Sequence, residues 1–96
     1  MEIIRTMLIC ILDGNNITDR ETLHDTLAGS LHLPDWYGRN LDALYDCLTD
    51  IQDETEIRLL HEEALEEYLG HYAKALQKVV YRACQENPRI HYYDNF

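Results

Sequence analysis

The chain is short of positive charge, serine and glycine, and each shortage removes a class of function. Eight basic side chains stand against eighteen acidic ones, giving a net charge of −10 with histidine neutral. Such an excess repels RNA, DNA and anionic lipid, so cationic proteins are the favoured partners. Ser30 is the only serine, which leaves no serine-nucleophile motif, and the four glycines are isolated and build no phosphate-cradling loop. Three cysteines, Cys10, Cys47 and Cys84, form no CxxC pair. Each lies in an apolar segment, where a thiol packs as a small buried hydrophobe, and an odd count points to a reducing compartment. The apolar run Met7–Leu12 is too short to span a membrane. It runs into Asp13-Gly14-Asn15-Asn16 with no small-residue cleavage site, which argues against a signal peptide. A soluble cytoplasmic protein is expected.

What remains is an ordinary globular composition. With 96 residues, 46% of them hydrophobic, the chain fits one domain over residues 1–96 built on one core. The Met7–Leu12 run, closed by a Gly/Asn turn, reads as a buried strand. Thr18-Asp19-Arg20-Glu21 reads as a capping box with Thr18 at the N-cap and Glu21 reaching back. Leu23, Leu27 and Leu31 follow as the core stripe of a first helix. Pro34 keeps Leu33 out of helix, and Gly38 marks a tight turn or a positive φ. Asn40 is then a good N-cap for a second helix. Glu56–Leu60 predicts a second strand, and the stretch 61–67 favours helix by propensity. Gly70 separates that helix from the next, and Leu69, Tyr72, Ala73, Leu76, Val79, Val80 and Ala83 make the clearest amphipathic stripe in the chain. Asn87-Pro88 ends that helix, and Ile90–Tyr93 predicts a last strand. The alternation predicts an α/β fold, a three-stranded parallel sheet packed with about four helices.

The second helix carries the functional signal. At about 100° per residue, Leu41, Leu44, Cys47, Leu48 and Ile51 share one side, while Asp42, Tyr45, Asp46, Thr49 and Asp50 share the other. Trp36 and Tyr37 lie just upstream. A row of acids is usually only a solvated face. Large aromatics beside it point to a protein-binding face, because Trp and Tyr are enriched at interface hot spots. Carboxylates on a rigid helix can stand where RNA phosphates stand in a cationic nuclease cleft, accepting hydrogen bonds from Arg, Lys and His.

The run Leu33-Pro34-Asp35-Trp36-Tyr37-Gly38-Arg39-Asn40-Leu41-Asp42-Ala43-Leu44-Tyr45-Asp46-Cys47-Leu48-Thr49 resembles the signature of the barstar family, intracellular inhibitors of barnase-like ribonucleases. The resemblance implies a barstar-like fold, no enzymatic activity, no cofactor and a one-to-one complex with a basic extracellular ribonuclease. It implies that Asp46 is the central phosphate mimic, meeting the arginines and catalytic histidine of the nuclease, and that Asp42 makes a second ion pair at the rim. Trp36 would pack on that histidine, Tyr45 would take the place of a family tryptophan, and Thr49 would add a peripheral contact. Gly38 and Asn40 would shape the loop and helix start. Asp50 and Ile51 depart from the Gly-Trp that follows the threonine in the family. Two late glutamates of the family align with Arg82 and Glu86, so that Glu86 keeps the contact and Arg82 reverses its charge. The same fold could also serve as an immunity or adaptor protein for a different partner.

Other readings of these residues are weaker. Asp42 and Asp46, four apart, lack the further oxygen ligands of a Mg²⁺ or Ca²⁺ site. His24, His32, His61, His71 and His91 form no close pair, and His61-Glu62 is followed by Leu65 where a zinc-protease motif needs histidine. No metal site is expected, and the histidines read as surface or partly buried. Hydrolysis by the acidic ridge would need a pocket that nothing in the sequence provides.

Overall fold

The computed structural model describes residues 7–94; the ends of the 1–96 single-domain reading lie outside them. The chain runs β1 (Leu8–Asp13), α1 (Arg20–Ser30), α2 (Leu41–Asp50), β2 (Thr55–Leu60), α3 (Glu62–Leu69), α4 (His71–Glu86), β3 (Ile90–Asp94). The strands form one sheet in the order β1-β2-β3. Both pairings are parallel, with Leu8 beside Thr55 and Thr55 beside Ile90. The predicted α/β architecture is therefore the one observed.

Parallel crossovers are right-handed, and two that step the same way across a sheet deliver their helices to the same face. The burial along β1 and β2 alternates accordingly. Leu8, Cys10, Leu12, Ile57, Leu59 and Ile90 enter the core, with Leu23, Leu27, Leu44, Leu48, Leu65, Leu76 and Val80 packed over them from the helices. Ile9 and Ile11 point the other way and are each 48% exposed. The first strand is thus buried on one face only. The expectation of a buried strand fails because an unbroken aliphatic run hides its two-residue period. Among the described residues no helix is long and apolar enough to cross a membrane.

Local signals explain most element boundaries, with three corrections. Asp19, not Thr18, caps α1: its backbone is extended and its carboxylate accepts from the Thr22 amide at 2.7 Å. That bond holds the Asp19 carboxyl below its ordinary pKa. The helix starts one residue later than a Thr18 cap would require, so Glu21 falls in its first turn and the reciprocal box does not form. The positive φ expected at Gly38 belongs to Arg39, at 57°. Gly38 answers to space instead, since a Cβ there would lie 3.2 Å from the Ala43 Cβ and 3.3 Å from the Asn40 amide nitrogen. Gly70, at φ 59° and ψ −134°, occupies a conformation that side chains resist, which is why α3 and α4 part there. The third correction concerns the thiols. All are free, and Cys10 and Cys47 are buried, but Cys84 is only half-buried.

Candidate functional site

The site begins with the way α2 is held at both ends. Asn40 accepts from the Ala43 amide at 2.8 Å and donates its Nδ2 to the Gly38 carbonyl at 3.2 Å. It therefore caps the helix and closes the preceding turn with one side chain. Asp42 follows in the first turn, where the helix dipole favours an acid. Leu44, Cys47 and Leu48 are buried against the core, and Leu41 and Ile51 are half-buried beside them. The other end is tied by Asn87, whose Nδ2 donates to the Leu48 carbonyl at 2.9 Å and to the Ile51 carbonyl at 3.0 Å. Its Oδ1 also accepts from the Arg89 amide at 3.0 Å. One buried amide thus joins the ends of α2 and α4 to the start of β3. Sequence reading treats Asn87 only as a helix stop, because its partners lie far away in the chain. Asn87→Ala is expected to lower stability by about 1–3 kcal/mol by leaving α2 carbonyls unpaired. Urea unfolding checks this, and amide exchange should rise first in the last turn of α2.

The outward face carries Asp42, Asp46 and Asp50, all exposed, with Tyr45 and Thr49 half-buried between them. None of the three carboxylates has an ion-pair partner among the described residues. Like charges four apart on a helix repel by about 0.2–0.5 kcal/mol per pair, so the ridge works against the stability of α2. The Thr49 hydroxyl donates to the Asp46 carbonyl at 3.0 Å. From α4, the Arg82 guanidinium lies 5.5 Å from the centre of the Tyr45 ring. Arg82 is therefore held beside the acidic ridge by an aromatic face rather than by a carboxylate. Glu86 is exposed in the last turn of α4, next to Asn87. Among the described residues, no group of three or more His, Cys, Asp or Glu side chains could hold a metal ion.

The two upstream aromatics part company. Trp36 is 78% exposed, while Tyr37 is only 6% exposed and belongs to the core. Tyr37 is drawn inward by His24 on α1, whose Nδ1 is 2.5 Å from the Tyr37 hydroxyl and whose Nε2 is 2.7 Å from that of Tyr72 on α4. A neutral imidazole has one donor and one acceptor nitrogen, so one tyrosine hydroxyl donates to the ring and the other accepts from it. His24 is buried, against the expectation of surface or partly buried histidines, because two hydroxyls satisfy both of its nitrogens. Arg39 fixes the other side of the loop, reaching Asp25 at 2.6 Å and the Glu21 carbonyl at 3.2 Å. With its base anchored in this way, the loop presents Trp36 to solvent.

The same cluster gives the fold a pH dependence. Burial, then the nearby charges of Arg39 and Arg20, push the His24 pKa below its ordinary 6.5, with Asp25 opposing. The unfolded chain consequently binds a proton at a pH where the folded chain does not. This contribution to stability is complete above pH 6.5 and declines as the pH falls through 6.5 towards the folded value. Denaturant unfolding of the wild type and of His24→Gln between pH 8 and pH 5 should show a steeper acid-side loss for the wild type.

The chain is thus a parallel sheet with helices packed over one face, and α2 turns an exposed acidic ridge, with the exposed Trp36 just upstream, to solvent. The family model for barstar, described as barnase inhibitor, matches residues 7–92. The chain belongs to the barstar family. It is similar to YrdF of Bacillus subtilis (strain 168), named "Putative ribonuclease inhibitor", with 43% identity over 77 residues that cover 79% of this chain and 85% of that protein. Both similarities point to an inhibitor rather than an enzyme.

Proposed function

We propose that the chain is a cytoplasmic inhibitor of a basic, barnase-like ribonuclease, bound one to one through the outward face of α2. Asp46, in the middle of the ridge, stands in for an RNA phosphate and pairs with the arginines and histidine of the nuclease active site. Asp42 pairs with a cation at the rim, and Trp36 and Tyr45 pack on the groups that otherwise hold bases. The net charge of −10 speeds encounter with a basic enzyme and keeps the inhibitor off RNA itself. The observation that carries this reading is the exposed row Asp42, Asp46 and Asp50 without counter-ions among the described residues, beside a tryptophan that is 78% exposed. The α2 backbone that carries them is tied at both ends, so the ordering lost on binding is confined to the side chains.

The test is RNA cleavage by barnase in the presence of rising amounts of the purified protein. Cleavage should cease near one equivalent, and excess RNA should compete. Undiminished cleavage with folded protein in excess would remove barnase as a target.

One observation favours a second reading. Arg82 lies over Tyr45 and places a cation beside the acidic ridge. A partner that meets this point with a carboxylate, such as a different toxin neutralised by the same fold, would suit it better than one that meets it with lysine or arginine.

A further inference from the structure

A surface groove opens beside the C-terminal end of α2, between that helix end, the loop before the helix and the 51–53 connection. Leu33, Pro34, Cys47 and Ile51 are among its apolar lining, Trp36 forms part of it, and Asp50 and Asp53 bring two carboxylates. Its volume is about 260 Å³. That falls just below the roughly 300–1,000 Å³ of small-molecule sites and suits a single long side chain. No lysine or arginine lines it.

The placement of Asp50 is otherwise unfavourable. It sits at the negative end of the α2 dipole, in a last turn that holds no basic residue, one turn after Asp46. Neither Asp50 nor Asp53 has an ion-pair partner among the described residues. An apolar trough with a tryptophan wall and unpaired carboxylates matches one side chain in three respects. Arginine has an aliphatic stem for the trough, a planar cation for the indole and a fork of donors for a carboxylate.

We infer that this groove is a subsite for an arginine side chain of the partner protein. It adjoins the acidic ridge through Asp50 and Trp36, and so extends the interface past the point where the phosphate-mimic contacts end. The inference rests on the reading of α2 as the partner-binding face. It commits the partner to a protruding arginine next to its active site.

The test leaves the ribonuclease out, so its result is separate from that of the cleavage assay. The ¹⁵N-labelled protein is titrated with N-acetyl-arginine amide and, in parallel, with the uncharged isostere N-acetyl-citrulline amide. Saturable shifts are expected at the amides of Leu33, Cys47, Ile51 and Gln52 and at the indole NH of Trp36, with an affinity in the millimolar range. Citrulline amide should leave them unmoved, and Asp50→Asn, folded by the same spectrum, should weaken the arginine response several-fold. Trp36 is the sole tryptophan, so its emission gives a second readout. Shifts centred on Asp42 and Asp46, an equal response to citrulline amide, or an unchanged response in Asp50→Asn would each overturn the inference.

Discussion

Asp46→Ala is expected to weaken the complex with a barnase-like ribonuclease by more than ~2 kcal/mol, the scale of an interface hot spot, while the free protein stays as stable as the wild type. Asp46 is exposed, has no ion-pair partner among the described residues, and shares its helix face with Asp42 and Asp50 four residues either side. Its removal takes no contact from the core and relieves two like-charge repulsions within α2. In the complex the same truncation strands the cations of the nuclease in a desolvated cleft, which is where the large loss arises. Calorimetry of the complex and urea unfolding of the free variant measure the two effects separately. A variant that unfolds would place Asp46 in the fold rather than at the interface.

Leu44→Ala should do the reverse. Leu44 is fully buried, at the centre of the apolar side of α2, within the cluster that includes Leu23, Leu48 and Leu76. Truncation removes apolar contacts and leaves a void, for an expected destabilisation of about 2–5 kcal/mol. For a small domain stabilised by about 5–15 kcal/mol that is a large fraction of the total. A folded residue of the population should still present Asp42 and Asp46, so affinity per folded molecule should change little. Urea unfolding with binding corrected for the folded fraction checks both halves. A Leu44→Ala variant as stable as the wild type would put that side chain outside the core.

These two neighbours on one helix show where sequence is a good guide. The 3.6-residue stripe Leu41, Leu44, Cys47, Leu48 and Ile51 and the Asn40 cap are local signals, and the structure keeps both. The stripe of α4 is legible for the same reason from Tyr72 to Ala83, whereas Leu69, read as its first member, is the last residue of α3. Legibility ends where partners are distant in the chain or where two residues offer the same chemistry. Thr18 and Asp19 are both good caps, and only the backbone decides between them. Trp36 and Tyr37 are adjacent aromatics, and what separates them is His24, thirteen residues away, which pulls one hydroxyl inward. The tie from Asn87 to Leu48 spans 39 residues and leaves no periodic trace. Ile9 and Ile11 are as apolar as their buried neighbours, so the open face of the sheet follows from topology and not from composition.

Encounter driven by a net charge of −10 is screened by salt, with the Debye length near 10 Å at 0.1 M. Affinity for a basic nuclease should therefore fall as ionic strength rises, chiefly through slower association.

In the proposed complex the acidic face of α2 occupies the active site of a barnase-like ribonuclease. Calorimetric titration of the protein into barnase at low and moderate salt, with RNA cleavage followed in the same samples, tests it most directly. Tight one-to-one binding that weakens with salt and abolishes cleavage in step with occupancy is expected. Absence of binding by a protein shown to be folded, or a complex that still cleaves RNA, would contradict it.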